Sequence, residues 1–188
     1  MTKPAVFLDR DGTINREQGF ITQPEDIELL EGTIASLRRL ADAALTLVVI
    51  TNQSGIAQGL YSEDQLARIH ESLHLQTEGT IKAWFHCPHH PETTGPLGGA
   101  CTCRKPAPGL LLQACEILNL TPEGSYIVGD TARDLLAAQQ LPIQTVLVRS
   151  GKPWQQQLEL LRGDGLEPDH IADNLAAATD WILDRHQG

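Results

Sequence analysis

Short apolar runs alternate with amphipathic stretches along the chain. The apolar runs stop abruptly at polar residues, which is typical of buried strands in an α/β sheet. Strands are predicted at residues 5–8, 45–50, 81–85, 125–128 and 143–148, and helices at about 32–43, 63–78, 108–119, 131–140 and 174–185. Strands that alternate with helices predict a doubly wound parallel α/β sheet with helices on both faces.

Length and charge narrow the classes of function. The 188 residues fit one domain, residues 1–188, that can bury a sizeable core. A net charge of -10 argues against binding to nucleic acid or to an anionic membrane surface. Residues 1–4 lead straight into a strand without the pattern of a targeting leader, and no run reaches the length of a membrane span. We therefore expect a cytoplasmic monomer whose partner is a small molecule.

The first apolar run ends at two carboxylates, Asp9 and Asp11, followed by Gly12 and Thr13. Ligands of an open α/β sheet bind at the carboxyl ends of its strands, and side chains two positions apart on a strand point the same way. Two anions facing one volume need a cation, and Mg²⁺ prefers oxygen ligands. This stretch predicts a magnesium site, although a surface turn rich in Asp and Gly has the same residues.

Later strands also end in polar residues, at 51–54, at Asp130 and at 149–150. Parallel strands bring these ends to one edge of the sheet, where Asp130 is expected to add a third carboxylate. Lys105 is a candidate for the compact positive charge that meets a phosphoryl group. Thr51 could donate a hydrogen bond to the same phosphoryl oxygens.

Cysteine and histidine cluster in the loop that follows the third strand, as Cys87-x-His89 and Cys101-x-Cys103. Three thiolates and one imidazole form a closed tetrahedral set of the kind that holds structural Zn²⁺. The intervening residues are rich in Pro and Gly and would not form a packed element unaided. A zinc loop at residues 87–103 is the prediction.

Other interpretations of this loop remain open. His86 or His90 could replace His89, or the loop could be flexible with thiols that never meet. A disulfide between Cys101 and Cys103 is disfavoured, because one intervening residue gives poor geometry. Cys115 lies on the apolar face of its predicted helix and is expected to be a buried small hydrophobic residue.

Four segments, taken in order, resemble the four motifs of the haloacid dehalogenase superfamily of phosphatases: DRDGT at 9–13, TNQSG at 51–55, KP at 105–106, and Gly129-Asp130 with Asp134. The resemblance spans nearly the whole chain and implies the Rossmann-like sheet of that superfamily. The longer strings FLDRDGTIN at 7–15 and TNQSGIAQG at 51–59 are similar to those of the heptose-bisphosphate and histidinol-phosphate phosphatases. No long helical insertion interrupts the motifs, so no large cap domain is expected.

The resemblance implies a role for each motif residue. Asp9 would be the nucleophile, and Asp11 the general acid and then the general base. Asp9, the backbone carbonyl of Asp11 and Asp130 would hold Mg²⁺, while Thr51 and Lys105 would stabilise the transferring phosphoryl group. The zinc ligands implied are Cys87, His89, Cys101 and Cys103.

Substrate-binding residues are expected on both sides of the cleft. They are Glu17, Gln18, Gly19 and Phe20 in the flap of residues 14–31, Asn52, Gln53 and Ser54 in the second motif, and Arg104 beside Lys105. Arg104 could bind a second phosphate through a bidentate fork, and a zinc loop would fix its position.

Two positions near the fourth motif carry open questions. Asp134 could orient Lys105, or it could simply be an acidic residue in the first turn of a helix. Superfamily members often have Lys directly after the motif Asp, whereas this chain has Thr131.

The resemblance implies a Mg²⁺-dependent phosphatase that removes the 7-phosphate of D-glycero-D-manno-heptose 1,7-bisphosphate in lipopolysaccharide core synthesis. The alternative substrate is histidinol phosphate, since that activity would use the same motifs. From another class, the chain could be a zinc-stabilised protein that binds a sugar phosphate without catalysis.

Overall fold

Six parallel strands form one sheet in the order β3-β2-β1-β4-β5-β6. The computed structural model describes residues 2–186. The strands are β1 (Ala5–Leu8), β2 (Thr46–Asn52), β3 (Ala83–Cys87), β4 (Ser125–Gly129), β5 (Ile143–Val148) and β6 (His170–Ala172). The helices are α1 (Thr33–Asp42), α2 (Glu63–Gln76), α3 (Gly109–Leu118), α4 (Ala132–Leu136), α5 (Trp154–Gly163) and α6 (Leu175–His186), with a 3-10 turn at Pro24–Asp26.

Strand β1 is buried on both faces, which explains its uninterrupted apolar run. Val6 and Leu8 pack in a cluster with residues of α1 and α6, whereas Ala5 and Phe7 pack in a second cluster with residues of α3. Successive side chains on a strand alternate between faces, so a strand between two helical layers must be apolar at every position. The doubly wound parallel sheet predicted from the sequence is confirmed.

The order of the strands reverses beside β1. The chain adds β2 and β3 on one side of β1 and then returns to place β4 on the other side. The two connections leave a crevice at the carboxyl ends of β1 and β4, where ligands of doubly wound sheets bind. Asp9 follows β1 and Asp130 follows β4, so both lie at this crevice.

The segments between the motifs are short and belong to the layers of the sheet. Residues 13–50 contain the 3-10 turn, α1 and most of β2, and residues 53–104 contain α2, β3 and the loop of cysteines. Within the described residues neither segment forms a cap over the crevice, as predicted. None of the helices in residues 2–186 combines the length and the apolar character needed to span a membrane.

Three elements differ from the prediction. The helix expected at 131–140 ends at Leu136 because Ala138 and Gln139 donate to carbonyls three residues back, which tightens the chain into 3-10 geometry. Helix α5 and strand β6 were not predicted. The strand has three residues, and α5 has two buried residues, Leu158 and Leu161, too few to set a period.

Candidate active site

A cleft opens at the carboxyl ends of β1 and β4, and most of the predicted site residues line it. The lining residues are Asp9, Asp11, Glu17, Gly19, Phe20, Thr51, Asn52, Ser54, Arg104, Lys105, Asp130, Arg133, Asp134 and Lys152. Two predicted substrate contacts, Gln18 and Gln53, are not among them. Two further cations line the cleft: Arg133, which was not predicted there, and Lys152, for which a cleft wall and an ordinary strand exit were both open.

The ammonium group of Lys105 is buried at the floor of this cleft. Its Nζ donates to Asp9 Oδ1 at 2.7 Å and to the Ile50 carbonyl at 2.8 Å, and lies 2.6 Å from Asp134 Oδ1. Asn52 holds the Lys105 backbone from both sides, since its Nδ2 donates to the Lys105 carbonyl and its Oδ1 accepts from the Lys105 N–H. The amide of Asn52 is therefore already engaged by the protein.

Two of three clustered buried carboxylates, Asp9 and Asp134, contact this ammonium, and the third, Asp130, lies beside them. Oxygen atoms of Asp9, Asp130 and Asp134 lie within 4.8 Å of one another. Burial, and then the charge of Asp134, raise the pKa of Asp9 to about 6. Burial and the same neighbour raise the pKa of Asp130 to about 8. One ammonium cannot balance three ionised carboxylates, and the raised pKa values reflect burial and this shortage of positive charge. The donor set therefore fits a divalent cation with oxygen ligands.

The carboxylate of Asp134 already has partners for both of its oxygens. It accepts hydrogen bonds from the backbone N–H and the hydroxyl of Thr131, and its other oxygen faces Lys105. Asp134 thus lies where it can orient Lys105. Asp130 accepts a bond of 2.8 Å from the Lys152 N–H.

Two glycines allow the backbone to approach Asp130 closely. A Cβ at Gly151 would lie 2.0 Å from Asp130 Oδ2, and one at Gly12 would lie 2.5 Å from the same atom. Gly12 also has a φ of 86°, which side chains disfavour. The third carboxylate is therefore packed between two loops that leave no room for a side chain.

Asp11 is held by a separate set of donors in the wall of the cleft. Arg10, 1% exposed, forms a fork on the carboxylate with contacts between 2.8 and 3.1 Å. Asn15 donates to Asp11 Oδ1 at 2.9 Å, and Gln53 donates to Oδ2 at 3.1 Å. The two carboxylates of the first motif thus have different surroundings, Asp9 beside Lys105 and Asp11 beside Arg10.

Gln53 lies beneath the cleft. Its side chain is buried, and its Nε2 donates to Thr51 Oγ1 at 2.9 Å as well as to Asp11. Its Oε1 accepts a bond of 2.7 Å from the hydroxyl of Tyr61. The amide predicted to bind substrate therefore connects two cleft residues from below.

The cysteine loop brings four metal-binding side chains together. The Sγ atoms of Cys87, Cys101 and Cys103 lie 3.1 to 3.7 Å apart, and His89 Nδ1 lies 3.6 Å from Cys87 and 3.4 Å from Cys103. Ligands about 2.3 Å from a tetrahedral Zn²⁺ are separated by similar distances. The thiols are free, and burial raises the pKa of Cys87, so a thiolate there needs a cation. The residues fit zinc.

The two histidines considered as alternatives to His89 have other partners. His86 lies 2.8 Å from Glu63, and His90 Nδ1 accepts from the Glu92 N–H. Neither belongs to the group of four. Cys115 is half-buried rather than buried as expected, and it packs against the apolar cluster that contains the buried residues of α3.

Cations line the mouth of the cleft. Arg104 donates to the carbonyl of His89 at 3.0 Å, so the cysteine loop holds its guanidinium. Burial, and then the charge of Arg133, lower the pKa of Arg104. Two guanidinium groups that repel each other across a cleft suit an anion between them. Lys152 instead lies 3.4 Å from Glu17.

Comparisons with known proteins identify phosphatases as relatives of this chain. A model of the HAD-hydrolase-like family matches residues 102–178. The D-glycero-beta-D-manno-heptose-1,7-bisphosphate 7-phosphatase of Haemophilus ducreyi is 45% identical over 81% of this chain and 86% of its own. The enzyme of that name from Escherichia coli K12 is 40% identical over 96% and 88%.

The chain belongs to the heptose-1,7-bisphosphate 7-phosphatase family. A solved member, the D,D-heptose 1,7-bisphosphate phosphatase from B. bronchiseptica in complex with magnesium and phosphate, aligns with a TM-score of 0.84 at 32% identity over 97% of this chain and 99% of its own. The superfamily resemblance predicted from the four motifs is confirmed. As a member of this family, the present chain is a hydrolase of phosphoric monoesters.

Sequence reasoning missed three residues of the site in this phosphatase and left a fourth open. Arg10 and Asn15 lie inside the first motif string, so the sequence indicates that they are close to the site. It does not show that both side chains point towards Asp11. Arg133 lies in α4, and only the fold shows that it lines the cleft. From the sequence, Lys152 could belong to a cleft wall or to an ordinary strand exit, and in the structure it lines the cleft.

Gly151→Ala is expected to displace Asp130 and to lower phosphatase turnover. A shift of about 1 Å in a catalytic group can cost about 10²-fold in rate, and the added Cβ would lie 2.0 Å from Asp130 Oδ2. Steady-state kinetics with p-nitrophenyl phosphate, with far-ultraviolet circular dichroism as a check on folding, measure the effect.

Gly163→Ala is the matched control, since a Cβ there meets nothing within 4 Å. Full activity in Gly151→Ala would contradict the close packing of Asp130.

Proposed function

We propose that this phosphatase removes the 7-phosphate of D-glycero-D-manno-heptose 1,7-bisphosphate, a step in the synthesis of the heptose of the lipopolysaccharide core. One observation carries the proposal. A single cleft contains a nucleophile paired with an ammonium, Asp9 and Lys105, and also a separate pair of cations, Arg104 and Arg133. The position beside Asp9 and Lys105 suits the reacting phosphoryl group, and the position beside Arg104 and Arg133 suits a second phosphate.

Asp9 is the proposed nucleophile. Oδ1 accepts from Lys105 at 2.7 Å, and the carboxylate faces the cleft from the end of β1. A carboxylate oxygen attacks phosphorus, the bond between phosphorus and the sugar oxygen breaks, and an aspartyl phosphate forms. Lys105 and the hydroxyl of Thr51 stabilise the negative charge of the phosphoryl oxygens.

Asp11 is the proposed acid and base. Asp11 in its protonated form gives its proton to the oxygen that leaves with C7 of the sugar. The resulting carboxylate then takes a proton from the water that attacks the aspartyl phosphate, which restores the protonated form. The second attack releases inorganic phosphate and restores the Asp9 carboxylate. The donors on Asp11, among them Asn15 and Gln53, hold its oxygens at the wall of the cleft throughout.

Magnesium is the proposed cofactor at the carboxylate cluster. Asp9, Asp130 and the backbone carbonyl of Asp11 would hold it, and when bound it would shield the charge between carboxylate and phosphate. The close approach of three carboxylates, whose burial and mutual repulsion raise the pKa of Asp9 and Asp130, supports this assignment. A relative of this chain was solved with magnesium and phosphate.

Arg104 and Arg133 are proposed to bind the phosphate that stays on the sugar. Both line the cleft, and the flap residues Glu17, Gly19 and Phe20 line it as well. An anion between the two guanidinium groups would relieve their mutual repulsion. Lys152 is less available for this role because of its pairing with Glu17.

Zinc is the proposed occupant of Cys87, His89, Cys101 and Cys103. It would fold the loop and fix the His89 carbonyl that binds Arg104.

We propose further that residues 1–188 form a single domain, since one sheet carries all four motifs. The free thiols among the described residues support a reducing, cytoplasmic location.

The substrate proposal is tested with purified enzyme and Mg²⁺ on both anomers of the heptose 1,7-bisphosphate, on heptose 7-phosphate and on histidinol phosphate. The 1,7-bisphosphate is expected to have the highest kcat/KM, and phosphorus NMR should show that the 1-phosphate remains on the product. Asp9→Asn should lower kcat by at least about 10³-fold, whereas the exposed Asp26→Asn should not.

Two results would contradict the proposal. A clear preference for histidinol phosphate would reassign the substrate. No phosphate release from any of these compounds would favour a binding protein.

Arg133→Ala is expected to raise KM for the 1,7-bisphosphate and to leave KM for heptose 7-phosphate nearly unchanged. A hydrogen bond to a charged group contributes about 1.5–3 kcal/mol, which corresponds to a change of about 10- to 100-fold. Steady-state kinetics on both substrates measure the difference. Arg162→Ala is the control, because Arg162 pairs with Glu167 at the surface of α5. Equal changes with the two substrates would remove Arg133 from the second phosphate site.

Cys101→Ser is expected to abolish zinc binding, to lower Tm by about 5 °C or more, since each kcal/mol shifts Tm by about 2–4 °C in a chain of this size, and to raise KM for the bisphosphate through Arg104. Metal analysis, thermal unfolding and kinetics check the three effects. Cys115→Ser is the matched control, because Cys115 lies outside the group of four. Protein purified without chelator that contains no zinc would refute the assignment.

A further inference from the structure

Tyr61 lies outside the sequence motifs, but one side chain, that of Gln53, links its hydroxyl to the cleft residues Asp11 and Thr51. The side chain is 5% exposed, and its oxygen lies 2.7 Å from Gln53 Oε1. Its ring packs directly on Gly55, where an added Cβ would lie 2.2 Å from the ring. The glycine of the second motif therefore makes room for this tyrosine.

The amide of Gln53 has one orientation that satisfies its neighbours. In the carboxylate form that acts as the base, Asp11 only accepts hydrogen bonds, so the NH₂ group of Gln53 must face Asp11 Oδ2, 3.1 Å away. The amide oxygen then faces Tyr61, which must donate. Burial raises the pKa of Tyr61 to about 12, so this hydroxyl keeps its proton at neutral pH.

The same amide also sets the direction of the Thr51 hydroxyl. The second N–H of Gln53 donates to Thr51 Oγ1 at 2.9 Å, so Thr51 acts as acceptor on this side. Its own proton is then free to point elsewhere, and Thr51 lines the cleft. A flipped Gln53 amide would place an acceptor against both Asp11 and Thr51.

We propose that Tyr61 is a positioning residue of this phosphatase: by donating to Gln53 it fixes the amide that holds Asp11 for proton transfer and turns the Thr51 hydroxyl proton into the cleft. The inference rests on the proposed function, because it takes the roles of Asp11 and Thr51 from there. It concerns the reaction machinery and is independent of which sugar carries the phosphate.

Tyr61→Phe tests the proposal on two classes of substrate. An alkyl phosphate has a leaving oxygen that must be protonated, whereas p-nitrophenolate leaves without a proton. If Tyr61 positions Asp11, kcat/KM for the alkyl phosphate should fall about tenfold or more, and the fall with p-nitrophenyl phosphate should be several times smaller. A purely structural role would lower both alike, and that result would overturn the proposal.

A double-mutant cycle tests whether Tyr61 acts through Gln53. In a Gln53→Ala background, Tyr61→Phe should cause no further loss with the alkyl phosphate. Equal losses in both backgrounds would overturn the proposal. Tyr126→Phe is the matched control, since Tyr126 is also buried but packs against Trp181, away from the cleft. Thermal unfolding of each variant shows whether the fold is retained.

The outcome is separable from the substrate proposal. Both test phosphates lack the heptose, so wild-type enzyme that hydrolyses them but not the heptose bisphosphate would refute the proposed substrate. The comparison of leaving groups would still support or overturn the role of Tyr61.

Discussion

A buried ammonium between buried carboxylates is the interaction on which the cleft depends. Lys105 contacts Asp9, Asp134 and a backbone carbonyl of β2, and the three side chains in these contacts are buried. Charges in such a place are costly unless each one is paired. The cluster positions Asp9, the proposed nucleophile, and leaves Asp130 without a cationic partner at the position proposed for magnesium.

The fold meets this requirement by topology. Asp9 and Asp130 come from neighbouring strands, Lys105 precedes α3, and Asp134 stands in the first turns of α4. Residues about 120 positions apart in the chain meet because β1 lies between β2 and β4 in a parallel sheet. The glycines around Asp130 then allow loops from two strands to close on one carboxylate.

The parts of this picture that the sequence could predict are those with local signals. The apolar runs of the strands, the motif residues at their ends and the paired spacing of cysteines and histidine each lie within a few residues. Gln53 shows where such reasoning stops, because a polar residue in a motif can face the cleft or lie beneath it, and the choice depends on Tyr61 and Asp11. Arg133 is similar, since its place in the cleft depends on how α4 packs.

The bond between Arg104 and the His89 carbonyl has a consequence for affinity. A free arginine side chain on a surface loses about 0.5–1.5 kcal/mol of conformational entropy when it closes on a ligand. In this protein the cysteine loop already orders the Arg104 side chain, so this entropy is lost when the loop folds and not when substrate binds. With Arg104 in its proposed role, part of the affinity for the second phosphate therefore depends on the folding of the cysteine loop.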